Sequence, residues 1–230
     1  MPLPKLNVPV YETILPSTDK VIKFRPFLVK EEKILLTASE DGSQGAMMNA
    51  IKDIVKNCVQ EEIDVNKLPM FDLEYLFLKL RSKSVGEETE LGFKCLKEDC
   101  DGVTPVKVNI DEIKVNKSEK HTRKILITDE IGVMMSYPSL NTNGVIEEDG
   151  MKIVKECIEM IFTNDETHER DQIDSKELDD FLESMDTKQF GKIKEFFETM
   201  PRLQHDLNFS CVKCGEERKV TLQGIDSFFG

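Results

Sequence analysis

Leu91-Gly92-Phe93-Lys94-Cys95, with Cys100 after four intervening residues, and Leu207-Asn208-Phe209-Ser210-Cys211, with Cys214 after two, are the stretches that decide the reading of this chain. Each cysteine pair follows an apolar-aromatic lead-in. Each also precedes a strand-like run, Pro105-Val106-Lys107-Val108-Asn109-Ile110 in one case and Arg218-Lys219-Val220-Thr221-Leu222 in the other. Tetrahedral zinc takes four soft or borderline ligands, and one two-cysteine turn supplies only two. The two turns therefore read as halves of one site, with Cys95, Cys100, Cys211 and Cys214 as the expected ligands. A closed shell of four thiolates leaves no open position for substrate, so the expected zinc is structural.

Cys211-Val212-Lys213-Cys214-Gly215 has the form of a zinc knuckle, with Gly215 free to take the positive φ that such a turn requires. Two alternatives stand beside the metal reading. One is a degenerate knuckle that holds no ion. The other is a redox dithiol, which prefers a helix amino terminus after a strand, whereas strands flank both pairs here. Cys58 and Cys157 fall on or beside apolar helical faces and read as small buried hydrophobes. Of His121, His168 and His205, the last lies nearest a cysteine turn and is the substitute ligand if one thiol fails.

The 230 residues, 39% hydrophobic and 33% charged, describe a folded soluble protein with enough chain for a real core. No apolar run is long enough for a membrane span, and Met1-Pro2-Leu3-Pro4-Lys5 has no signal-peptide core. A reducing cytosolic location follows as the expectation, which favours free or metal-bound thiols over disulfides. The net charge of −13 weighs against nucleic-acid binding, because cationic side chains supply most of that affinity. The short basic run His121-Thr122-Arg123-Lys124 reads as a solvated strand entrance.

Along the chain, Tyr11–Leu15 and Val21–Arg25 read as a hairpin around the turn residues Pro16–Asp19. Helical spacing follows over Val29–Ala38, then from Ser43 through Val59 with Met47, Met48, Ile51, Ile54, Val55 and Cys58 on one face, and again after Pro69 through Leu80. Strands are expected at Leu91–Cys95, Val103–Ile110, Lys124–Thr128 and Ile131–Pro138, with Asp129-Glu130 closing a hairpin. The stripe Met151, Val154, Ile158, Ile161 and Phe162 predicts a helix from Glu147 to Phe162, followed by a polar connection from Thr163 to Asp174. Helices over Ser175–Met185 and Thr187–Met200 lead to the second cysteine turn.

The expected class is α+β: helical segments, about 29–84 and 147–201, packed in one body with a small antiparallel β unit, about 88–140 and 205–230. That unit carries the four-cysteine, zinc-ribbon-like site, with the two cysteine segments paired. The acidic groups Asp165-Glu166-Thr167-His168-Glu169, Asp171 and Asp174 do not meet the spacing of a calcium loop. Phosphate-binding glycine loops, nucleophile elbows and His-Glu-x-x-His helices are all missing from the sequence. No enzyme activity is expected.

Lys23-Phe24-Arg25-Pro26-Phe27-Leu28-Val29-Lys30-Glu31-Glu32-Lys33 and Glu74-Tyr75-Leu76-Phe77-Leu78-Lys79-Leu80-Arg81-Ser82-Lys83-Ser84-Val85-Gly86-Glu87 resemble the baseplate hub assembly proteins of T-even-type contractile-tailed bacteriophages. The cysteine turns occur in matching order, and the resemblance runs from near Pro4 to Phe229. It implies a viral structural or assembly protein whose partners are other tail and baseplate hub proteins; the acidic charge and the lack of a long apolar run add the expectation of no nucleic-acid and no membrane partner. It implies the infected host's cytoplasm, and the tail baseplate, as its locations. The family brings no catalytic residues. A competing reading is an acidic zinc-ribbon adaptor in a transcription or replication complex, whose basic surface would rest on Lys213, Arg218 and Lys219. Phe181, Phe190, Phe196, Phe197, Phe228 and Phe229 crowd the carboxyl end, and Phe228 and Phe229 are expected to be the exposed docking element. Phe24-Arg25-Pro26-Phe27 is a strand end turning into a helix, or alternatively a docking edge, and Arg81 and Lys83 cap a helix end.

Overall fold

The computed structural model describes residues 6–143 and 150–228. In chain order the first elements are β1 (Tyr11–Ile14), β2 (Val21–Phe24), α1 (Val29–Asp41), α2 (Gln44–Cys58), α3 (Met70–Val85), β3 (Glu88–Lys94), β4 (Val103–Asn109) and β5 (Lys114–Asn116). Then come β6 (Lys124–Leu126), β7 (Gly132–Met135), α4 (Leu140–Asn143), α5 (Gly150–Cys157), β8 (Ile158–Phe162), β9 (Thr167–Glu169), α6 (Ser175–Glu183), α7 (Thr187–Thr199), β10 (Arg202–Ser210) and β11 (Glu217–Gln223). Helices and small antiparallel sheets make this an α+β protein. The chain divides into two compact units. One comprises Met1–Val65, Phe71–Asn116 and Arg202–Gly230; the other comprises Asn66–Met70 and Lys117–Pro201.

In the first unit, β1 and β2 form the expected hairpin, with Tyr11 opposite Phe24 and Ile14 opposite Val21. Ser43 caps α2 by accepting a hydrogen bond from the Ala46 N–H, and Ile51, Ile54, Val55 and Cys58 are buried at helical spacing. The docking-edge reading of Phe24–Phe27 fails here. Phe24 and Phe27 are buried, and the Arg25 guanidinium is held by Glu31 at 2.9 Å and the Asn57 carbonyl at 3.0 Å.

Helix α3 is buried on more than the one side its spacing suggests: Phe71, Asp72, Leu73, Leu76, Phe77, Leu78, Leu80 and Ser82 are all inside. Each large apolar side chain among them stabilises the fold by about 1.5–3 kcal/mol. Lys83, read from sequence as a helix-end cap, instead pairs with Asp111 at 2.9 Å, joined there by Lys79 at 3.3 Å. That network fixes α3 to the end of β4.

Asp72 is fully buried and accepts hydrogen bonds from the Ser17 N–H at 3.1 Å and the Ser17 hydroxyl, tying α3 to the β1–β2 turn. Burial pushes its pKa up from 3.8 to about 6, against the lowering effect of the two Ser17 bonds. The folded chain therefore binds this proton more tightly than the unfolded chain. The resulting stability is fully present below the unfolded pKa and is lost as pH rises through about 6. At neutral pH the buried charge costs on the order of 3 kcal/mol. Asp72→Asn can keep both Ser17 contacts without the charge, so its melting temperature should gain on the parent's between pH 5 and pH 8. Parallel melting curves across that range would show that Asp72 is not the titrating group.

The second unit has a four-stranded antiparallel sheet in the order β6-β7-β8-β9, covered on one face by α5, α6 and α7. Ile125, Val133, Met135, Ile158 and Ile161 from the sheet meet Val154, Leu178, Leu182, Ile193 and Phe196 from the helices. Asp174 caps α6, and Asp186 with Gln189 forms a capping box on α7. The helix expected through Phe162 is shorter: α5 stops at Cys157 and the chain turns into β8. Ile158, Ile161 and Phe162 fit a strand as well as a helix, and β7 offers an open ladder. Residues 147–149 of that expected helix lie outside the described residues. The connection after Thr163 is also not purely irregular, since Thr167–Glu169 adds the edge strand β9.

Candidate metal centre

The two cysteine turns sit at the ends of two hairpins in the first unit. β3 and β4 pair from Glu88–Asn109 to Lys94–Val103, and β10 and β11 pair from Gln204–Gln223 to Ser210–Glu217, with β5 added on the far side of β10. The sequence suggests that the cysteine segments pair with one another, but each pairs within its own hairpin. What joins the hairpins is side-chain packing: Leu91, Val108, Ile110 and Ile113 meet Leu203, Leu207 and Leu222, and the Phe93 and Phe209 rings lie 5.1 Å apart. The repeated phenylalanine of the lead-in is thus a shared core contact.

That packing brings all four thiols together, with every sulfur within 4.8 Å of the others. Cys95 Sγ lies 3.7 Å from Cys214 Sγ, and Cys100 Sγ lies 3.8 Å from Cys211 Sγ, although the latter pair is 111 positions apart. These separations exceed a disulfide bond and leave the cysteines free. A tetrahedron of sulfurs about 2.3 Å from a central ion has edges of about 3.8 Å. The four thiols can therefore hold a metal ion.

Backbone geometry shapes both turns. The Cys95 N–H donates to the Gly102 carbonyl at 2.8 Å, and the Cys211 N–H to the Glu216 carbonyl at 2.8 Å. Asp99 and Gly215 take the positive φ values, 65° and 73°, that reverse the chain beside Cys100 and Cys214. The N–H groups of Cys214 and then Lys213 point at the Cys211 sulfur and pull its pKa down from 9.0 to about 6, favouring thiolate. At Cys100 the Gly102 N–H acts in the same direction, but burial and the three neighbouring thiols outweigh it and push that pKa up to about 12. Four crowded sulfurs cannot all ionise without a cation among them. Cys58 and Cys157 differ: burial, with a smaller push from Glu31 and Glu156 respectively, raises them to about 11 and about 12, and both serve as core side chains.

The sequence did not single out Gly102 and Thr104. A Cβ on Gly102 would lie 2.9 Å from Lys213 Cβ, 3.0 Å from Cys211 Sγ and 3.4 Å from Cys100 Sγ. Thr104 Oγ1 accepts from the Val212 N–H at 3.1 Å, a direct bond from β4 to the second cysteine turn. Gly102→Ala should cost about 1–3 kcal/mol through overpacking, more than Gly215→Ala, whose Cβ would meet open space and which pays only for its φ. Urea unfolding of both variants checks the order, and a Gly102→Ala midpoint equal to the parent's would refute it.

Other candidates from the sequence lie elsewhere. His205 sits on β10 opposite Leu222 and is not part of the thiol cluster. His121 is built into the second unit, its ring nitrogens 3.0 Å from Thr199 Oγ1 and 3.0 Å from Tyr137 Oη. His168 is exposed on β9, in reach of Glu166 at 3.6 Å. Among the described residues no further group of histidine, cysteine and carboxylate side chains converges as a metal site. No helix among the described residues is long and apolar enough to cross a membrane.

Phe228, expected to be exposed, is instead fully buried in the core that joins the hairpins. Gly224, at φ 67°, turns the chain after β11, and the Ile225 N–H donates to Glu74 Oε1 on α3 at 3.3 Å, which directs Phe228 inward. Phe229 lies outside the described residues. Phe196 is buried in the second unit, and Phe181, Phe190 and Phe197 pack against the same core.

Comparison with known proteins agrees with the resemblance read from residues 23–33 and 74–87. The chain is 25% identical over 211 residues, 91% of its own length and 93% of the relative's, to the Baseplate hub assembly protein gp26 of Enterobacteria phage T4. No solved structure matches. Residues 8–230 match the family described as T4 bacteriophage base plate protein, a span that takes in both hairpins, all four clustered thiols and the helices of both units. On that match the chain belongs to the T4 bacteriophage base plate protein family.

Proposed function

We propose that this chain is a non-enzymatic assembly component of the phage tail baseplate hub that works by binding other hub proteins, with one structural zinc held by Cys95, Cys100, Cys211 and Cys214. The similarity to a baseplate hub assembly protein along nearly the whole of both chains carries the assembly role. The zinc reading is supported by the cluster of four thiols, all within 4.8 Å of one another and with two pairs at 3.7 and 3.8 Å, the edge length of a tetrahedral site. With four thiolates around it, the ion has no open position for a substrate, so its contribution is to folding. It clasps the β3–β4 hairpin to the β10–β11 hairpin, between which Lys117–Pro201, the larger part of the second unit, is inserted in the sequence. The protein acts in the cytoplasm of the infected host during assembly and at the tail baseplate.

The adaptor reading loses its cationic surface. Lys213 pairs with Asp101, Lys219 pairs with Asp206 at 2.9 Å, and Arg218 donates to the Lys94 carbonyl at 3.3 Å. With a net charge of −13 there is little left to attract phosphate. Affinity capture of the tagged chain from infected cells should recover baseplate hub proteins in a salt-stable complex. Recovery of no tail component, together with DNA binding at physiological salt, would replace this reading with the adaptor.

A further inference from the structure

The four-stranded sheet of the second unit has two faces, and only one is covered by that unit's helices. The row Ile125–Val133–Ile161 points into the core. The flanking rows point the other way. One of them runs Lys124–Met134–Met160–Glu169 across all four strands, and the other runs Leu126–Gly132–Phe162–Thr167. Met134, Met160 and Phe162 are partly exposed, Leu126 is 53% exposed, and none of them packs on the helical core. A Cβ on Gly132 would collide with the Phe162 ring, so the missing side chain makes room for that ring over β7. Lys124 Nζ sits 4.9 Å from the centre of the same ring, which places both side chains on this face. The result is a smooth sheet surface of methionine, leucine and phenylalanine, the composition of a protein-docking patch.

Its charges indicate what covers it. The first row has a cation at one end and a carboxylate at the other, with two methionines between them. A second copy laid face to face about a two-fold axis along the strands sets Lys124 opposite Glu169 and Met134 opposite Met160, each contact made twice. The other two-fold face-to-face arrangement stacks Lys124 on Lys124 and Glu169 on Glu169. We infer that this sheet face is a self-association surface and that its partner is a second copy of this chain. Asp129, Glu130, Asp165 and Glu166, in the β6–β7 and β8–β9 turns at one end of the strands, meet like charges in the same arrangement. Salt of about 0.15 M screens such exposed groups beyond about 8 Å, so the contact is to be measured there.

The experiment is sedimentation equilibrium of the full chain at 0.15 M salt, with parent, Lys124→Glu, Glu169→Lys, the double charge swap and Met160→Asp, each with a melting curve to show that it is folded. A monomer–dimer equilibrium is expected for the parent. Each single reversal should weaken it by about tenfold or more, since it makes two attractive pairs repulsive. The double swap should restore it, and Met160→Asp should abolish it. A parent that stays monomeric to millimolar concentration overturns the inference. So does a dimer that all four variants leave unchanged, or single reversals that the double swap does not rescue.

Discussion

Replacing Cys214 with Ser should remove the metal and release both hairpins, although Cys214 is exposed and its side chain fills no core space. Without a bound ion, an exposed Cys→Ser change is worth a few tenths of a kcal/mol at most. With a structural zinc, the binding energy is folding energy of order 10 kcal/mol, comparable to the whole stability of a typical domain. Amide exchange separates the two cases. Protection should fall across Leu91–Ile110 as well as Leu207–Leu222, because Cys214 and Cys95 lie 3.7 Å apart and the proposed ion would bind the two hairpins to one another beyond their shared core and the few polar contacts between them. Loss of protection confined to the Cys211–Gly215 turn would mean that no ion links the hairpins.

Phe228→Ala should destabilise the first unit by about 3–5 kcal/mol, the range for emptying a fully buried aromatic site. Phe228 packs with Leu78 of α3 and with Leu91, Val108, Leu203 and Leu222 of the two hairpins, so the cavity opens where the three meet. Chemical denaturation should show the loss in a metal-free sample as well as in the metal-loaded one, which separates this contact from the clasp. Unchanged stability would return Phe228 to the role of an exposed docking side chain.

The convergence of the four cysteines was legible because its signals are local: two short spacings, two aromatic lead-ins, two strand-like runs. The β1–β2 hairpin and the buried face of α2 were legible for the same reason, since turn chemistry and a 3.6-residue period are written within a few positions. The pairing of the hairpins was not. Phe93 and Phe209 announce a strand face but not its partner, and the thiols meet through packing of distant segments, not through a shared ladder. Ile158–Phe162 misled because β-branched and aromatic residues at helical spacing serve either element, and the open edge of β7 decides. The burial of Asp72 and Phe228 depends on contacts with Ser17 and Leu78, far away in the sequence, and no local pattern encodes them.

Metal content and thiol count on protein purified without chelator test the proposed clasp most directly. One zinc per chain is expected, with Cys95, Cys100, Cys211 and Cys214 protected from alkylation until the ion is chelated, and with the strands around them losing amide protection once it leaves. Protein that contains no zinc, keeps its fold in the presence of chelator and alkylates freely at all four thiols would contradict it.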